Sequence, residues 1–243
     1  MPDAADLSVL DLNALDGAAI LFDLDGTLVD TAPDLVGTLN WLLAEEGHPP
    51  LPVADVRTMI GRGGRWMLER GFTAAGVPLT PAQLDALFER FIDYYLAHIA
   101  DGSRPFPGAV QALEAMKAAG ARLGVCTNKR TSLSLALLDA LGMTDLFEAI
   151  VGPDLAGAQK PDRRHLDHAI AAVGGSLPRA VMVGDAATDA GAARDAGAGL
   201  ILVSFGYTEI PAAELNPDIL VDHFADIPAA CVRLLRSMAH GRR

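Results

Sequence analysis

Cysteine is scarce in this chain. Its 243 residues hold two, Cys126 and Cys231, without the paired spacing of a thiolate zinc site, and two thiols are too few for a disulfide framework. Aromatic residues are only 5% of the total, and the 19 Lys and Arg are outnumbered by 31 Asp and Glu, for a formal charge of -12. A nucleic-acid binder presents a basic face, so this balance argues against one. No apolar run approaches the ~18 residues that a membrane-crossing helix requires. The first 17 residues contain four Asp and no basic residue, unlike an export leader. A cytoplasmic monomer or homodimer, with neither nucleic acid nor membrane as partner, is therefore expected. The six histidines are scattered, and His165 with His168 is expected on a solvated helix side, not in a metal pair. What the chain does have is apolar mass, 51% hydrophobic, enough to bury a substantial core.

That mass falls into short continuous runs at 18–22, 122–126, 149–151, 180–183, 200–203 and 219–221. Runs that do not alternate suit strands covered on both faces. Helical patterns lie between most of them. Val110, Leu113 and Met116 form one such pattern. Leu133, Leu137, Leu138 and Leu141 form a second, ended by Gly142, and Ile227, Cys231, Leu234, Leu235 and Met238 a third. The alternation predicts an α/β fold with a Rossmann-like doubly wound, mainly parallel sheet. The stretch from Thr31 to Arg104 interrupts it, since only helical stripes occur there: Leu35, Leu39, Leu42 and Leu43, then Leu84, Leu87, Phe88, Phe91 and Tyr95. The expected division is a core of residues 1–30 and 105–243 with a helical insert at 31–104, and "SRPFPG" as the return linker.

The first run raises a question. "AAILFDLDGT" ends its apolar segment on two carboxylates, Asp23 and Asp25, whose mutual repulsion calls for a cation. In open α/β sheets ligands bind beyond the carboxyl ends of the strands. That rule gathers Asp23, Asp25, Thr127, Asn128, Asp185 and Asp189 in one crevice, with Lys160 of "AQKPD" beside them. Carboxylates without His or Cys favour a hard ion with oxygen ligands, so Mg²⁺ is expected, bound by Asp23, Asp25 and Asp185. A phosphate as a further ligand accounts for Lys160 as a point charge and for Thr127 and Asn128 as donors. Asp23 then serves as nucleophile, forming an aspartyl-phosphate, while Asp25 protonates the leaving oxygen and later takes a proton from water.

In this pattern the chain resembles the haloacid-dehalogenase-like superfamily of phosphohydrolases. "DLDGT" is similar to its first motif, Thr127 to its second, Lys160 to its third and "GDAATD" to its fourth. The resemblance implies that the insert is a cap domain and that Asp25 offers a backbone carbonyl to the metal. It also implies that Asp189 positions Lys160. Ala186 stands where relatives often have Ser and is expected to adjust the metal's outer shell. Within the superfamily, "FDLDGTLVDTAPDL", "CTNK", "LLDALG", "QKPD" and "SFGY" resemble bacterial enzymes that hydrolyse 2-phosphoglycolate to glycolate and phosphate. The alternatives are a phosphatase for another sugar phosphate or a nucleotide, or a phosphomutase. A dehalogenase is disfavoured by Asp25, because a leaving halide needs no proton. A binding protein with a dead site is disfavoured by the complete residue set. For the far end of a small carboxylated ester, the insert offers Arg62 and Arg65 in "IGRGGRWMLERG", whose guanidinium groups suit a carboxylate.

Overall fold

The computed structural model describes residues 12–240; the first 11 residues, including most of the acidic start read above as no leader, lie outside them. The elements run β1 (Ala19–Phe22), β2 (Val29–Asp30), α1 (Ala32–Glu45), α2 (Val53–Arg57), α3 (Gly64–Ala74), α4 (Pro81–Ala97), β3 (Arg104–Pro105), α5 (Ala109–Ala118) and β4 (Arg122–Cys126). They continue with α6 (Thr131–Ala140), β5 (Ala149–Val151), α7 (Pro153–Ala156), α8 (Arg163–Ala172), β6 (Ala180–Gly184), α9 (Ala187–Ala196), β7 (Gly199–Val203), β8 (Ile219–Val221) and α10 (Ile227–His240). Six strands form one sheet in the order β5-β4-β1-β6-β7-β8, and every pairing in it is parallel.

Strand β1 shows why these runs do not alternate in polarity. Ile20 and Phe22 enter one apolar layer and Ala19 and Leu21 the other, so both faces are covered and every position must be apolar. The second layer is closed by α8 and α9, through Leu166, Ala169, Ala190 and Ala193. The first runs on without a break into the helical insert, through Leu28, Leu35 and Leu39.

Helices α1 to α4 occupy the insert, with both predicted stripes buried. Thr80 begins α4 with a capping box, its hydroxyl accepting from Gln83 N and its N–H donating to Gln83 Oε1 at 2.9 Å. The two chain crossings between core and insert are more ordered than a linker. Residues 103–108, expected to be plain connection, carry β3, which pairs antiparallel with β2. Asp34 fastens the crossing by accepting from Gly102 N (2.8 Å), Ser103 N (2.7 Å) and Ser103 Oγ (2.6 Å). Among the described residues no helix is long and apolar enough to cross a membrane.

Candidate active site

The carboxyl end of the central strands carries the polar residues. Asp23 follows β1, Thr127 to Lys129 follow β4, and Asp185 follows β6 with Asp189 in the first turn of α9. Lys160 stands ahead of α8. All of them are at least nine-tenths buried. The cation beside Asp23 is Lys160. Its ammonium lies 3.0 Å from Asp23 Oδ1 and 2.6 Å from Asp189 Oδ1. Asp23 Oδ1 also accepts from Leu24 N at 2.7 Å, which fixes the carboxylate in place.

Asp185 is held from both sides. Thr27 Oγ1 donates to its Oδ1 at 3.2 Å and Tyr207 N to its Oδ2 at 2.7 Å. The packing around it is close enough to require glycine. A Cβ on Gly26, at φ +85°, would sit 2.7 Å from Asp185 Oδ2, and one on Gly206 would sit 2.2 Å from Asp185 Cβ. Asp189 Oδ2 caps α9, accepting from Asp185 N (3.1 Å) and Ala186 N (3.0 Å).

Asp23, Asp185 and Asp189 can each offer one carboxylate oxygen within 4.8 Å of the others. Three carboxylates less the Lys160 ammonium leave two negative charges in this pocket, which suits a divalent cation with oxygen ligands. The titration behaviour carries the same message. Burial first, then the charges of Asp189 and Asp25, raises Asp23 to about 6 against the pull of Lys160. Burial and the same crowding raise Asp185 well above the ordinary carboxylate range. Burial alone would lower Lys160, but the carboxylates of Asp189 and Asp23 more than reverse this and keep it an ammonium.

The Asp25 side chain does not join that group. It turns to a second buried lysine, Lys129, whose Nζ lies 2.9 Å from Oδ1 and 3.2 Å from Oδ2. Its place in the expected ligand set therefore rests on its backbone carbonyl alone. Sequence reasoning missed Lys129, although the strand-end rule that selected Thr127 and Asn128 applies equally to the residue after them. Asn128 also differs from expectation. Its amide accepts from Lys160 N (2.8 Å) and donates to Lys160 O and Gly61 O (both 3.1 Å). The side chain is thus engaged in clamping the lysine and the insert loop together, with both N–H groups in use. Thr127 lies beside the cluster, its Oγ1 accepting from Lys129 N at 3.2 Å.

A cavity of about 210 Å³ lies between core and insert, lined by Asp25, Arg62, Tyr95, Lys129 and Arg130 among others. Arg65 also reaches its wall, but its guanidinium pairs with the exposed Asp85 at 2.6 Å. Arg62 lies over the Trp66 ring, 5.0 Å from its centroid. His165 corrects another expectation. It is fully buried on α8, with Nε2 3.1 Å from Val151 O, and only His168 lies on the solvated side. Cys126 is buried too, and burial pushes its thiol up to about 12, as suits an inert thiol.

Comparison with known proteins gives this geometry a family. The model of haloacid dehalogenase-like hydrolases matches residues 18–197. A phosphoglycolate phosphatase of Caulobacter vibrioides is 60% identical over 226 residues, covering 93% of this chain and 95% of the relative. Another, of Agrobacterium fabrum, is 44% identical over 217 residues, covering 89% and 93%. Among solved structures, a predicted phosphoglycolate phosphatase from Haemophilus somnus superposes with a TM-score of 0.81 at 32% identity, covering 88% of this chain and 97% of that one.

Proposed function

The chain belongs to the haloacid dehalogenase-like hydrolases, and from that premise we propose that it hydrolyses 2-phosphoglycolate to glycolate and phosphate. The observation that carries the reading is the pairing of two aspartates with two separate lysines. Asp23, beside Lys160, is placed to attack, and Asp25, held by Lys129, to transfer protons. The substrate is supported by the relatives' names.

In this reading an oxygen of Asp23 attacks phosphorus and the bond to the alkoxy oxygen breaks. Asp25 donates its proton to that oxygen, releasing glycolate and leaving the phosphoryl group on Asp23. Asp25 then takes a proton from water as the water oxygen attacks phosphorus, and Asp23 is freed as carboxylate with inorganic phosphate. Lys160 and the Thr127 hydroxyl hold the phosphoryl oxygens. Asp189 keeps Lys160 in place, and Asn128 holds the Lys160 peptide against the insert loop. The metal would be Mg²⁺, which the carboxylates of Asp23 and Asp185 and the backbone carbonyl of Asp25 would hold. When bound, it supplies positive charge against the phosphoryl oxygens. Residues 31–104 act as the cap. Of the two arginines expected near the ester's far end, Arg65 is paired with Asp85, which leaves Arg62 on the cavity wall.

Phosphate release from a panel of small esters, with and without Mg²⁺, tests the assignment. Phosphoglycolate should give the highest kcat/KM. Asp23→Asn keeps the shape of the nucleophile and removes its charge, so turnover should fall by several orders of magnitude. Near wild-type turnover in that variant would overturn the mechanism.

A further inference from the structure

Lys129 has no role in handling the phosphate, yet it is 7% exposed and lies deep in the cavity. Its Nζ is bonded to Asp25 and stands 4.7 Å from the centroid of the Tyr95 ring, which belongs to α4 in the cap. Tyr95 is 0% exposed; the Lys129 ammonium is the polar neighbour of its hydroxyl, and the O–H itself finds no acceptor. A buried O–H without an acceptor is costly. Here it faces a cation across the seam between the two halves of the molecule, and both groups line the cavity. The ammonium also has three N–H groups and only Asp25 as a hydrogen-bonding anion.

The position of this pair relative to the chemistry is informative. The proposed mechanism brings Asp25 to the leaving oxygen. Bond lengths of about 1.5 Å put a carboxylate one methylene away within about 3–4 Å of that oxygen. Such a carboxylate falls beside the group that already grips Asp25. We propose that Lys129 and Tyr95 form the receptor for a carboxylate one carbon from the leaving oxygen, so that the site selects phosphate esters of small 2-hydroxy acids. The inference rests on the phosphatase reading above and adds a specificity element to it. Binding such an ester gives the Tyr95 O–H an acceptor and Lys129 a second anion beside Asp25. An ester without the carboxylate leaves that O–H without an acceptor, and a site built this way discriminates strongly. The reader of the carboxylate is then internal to the cavity, and Arg62 on its wall adds positive charge.

The test compares kcat/KM for phosphoglycolate and for ethyl phosphate, which carries a methyl group in place of the carboxylate. The wild-type protein tests the functional reading. A clear preference for phosphoglycolate supports it, and equal rates on the two esters overturn it. The variants test the receptor. Tyr95→Phe deletes one oxygen and keeps the ring, and should lower the phosphoglycolate-to-ethyl phosphate ratio about tenfold, chiefly through KM. Lys129→Gln should slow both esters, because Asp25 loses its partner, and should lower the ratio by a further tenfold or more. Loss of Asp25 orientation alone would slow both esters in proportion and leave the ratio unmoved. If Lys129→Gln fails to fold, Tyr95→Phe decides the matter. A wild-type preference for phosphoglycolate that survives in the variants, or that collapses only in Arg62→Ala, overturns the receptor and leaves the functional reading standing.

Discussion

Two buried lysines divide three of the site's four aspartates between them. Lys160 serves Asp23 and Asp189, while Lys129 serves Asp25. The division sets the proposed nucleophile Asp23 and the proposed proton donor Asp25 beside different cations within one small volume. A third buried titratable group, His165, stands behind the site and has a consequence for stability. Burial first, then the charge of Lys160, lowers its pKa from 6.5 to about 4. The unfolded chain therefore binds more protons than the native one between those values, and stability is lost as pH falls through that window and is complete above 6.5. The shift corresponds to about 3 kcal/mol. Asp23, raised to about 6, acts in the opposite sense, because its protonated form is favoured by folding. The diagnostic quantity is therefore a difference. Urea unfolding of the wild type should lose about 2–3 kcal/mol relative to His165→Gln between pH 7.5 and pH 4.5. Parallel pH dependences for the two proteins would show that His165 is not held neutral.

At the scale of elements, the six sheet strands and the helical insert are legible in the sequence because continuous apolar runs and 3.6-residue stripes each report a surface that must be covered. The candidate site follows from them, since Asp23, Thr127 and Asp185 all stand just past a strand. What the sequence hid has physical reasons. Strands β2 and β3 are two residues each, too short to show any periodicity. The burial of His165 depends on which face of α8 meets β5, and a helical stripe alone does not say which neighbour arrives. Lys129 gains its partners only when Asp25, 104 residues ahead of it, and Tyr95 are brought to it by the fold. The crossing between core and helical insert is the element most open to test. Asp34 alone accepts three hydrogen bonds there, so Asp34→Ala leaves two backbone N–H groups and a hydroxyl without it. A loss of about 2–4 kcal/mol is expected, read as a lower midpoint in urea. Asp34→Asn, which keeps one acceptor oxygen, should recover part of it. No change in either variant would mean that the β2–β3 ladder holds the crossing unaided.

For the molecule as a whole, the charge of -12 opposes the approach of an anionic ester, and the cavity answers with Lys129, Arg62 and Arg130 on its walls. The same imbalance makes the metal a structural participant. Without a divalent cation, Asp23, Asp185 and Asp189 share one buried pocket with a single ammonium, and burial first, then their mutual repulsion, raises Asp23 and Asp185. A cation that binds the native site and not the unfolded chain stabilises the fold by mass action, by about 2.7 kcal/mol at a hundred times its Kd. Mg²⁺ should therefore raise the Tm of chelator-treated protein, and activity lost in EDTA should return with Mg²⁺ more fully than with Ca²⁺, whose larger and looser shell fits the site less well. Because protons compete for the same carboxylates, the Tm increment at a fixed Mg²⁺ concentration should be smaller at pH 5.5 than at pH 7.5. Asp185→Asn removes one ligand charge while keeping its size, and in that variant the increment should largely vanish. An equal Tm increment in wild type and Asp185→Asn would place the stabilising ion elsewhere on this acidic surface, and the metal centre proposed here would have to be abandoned.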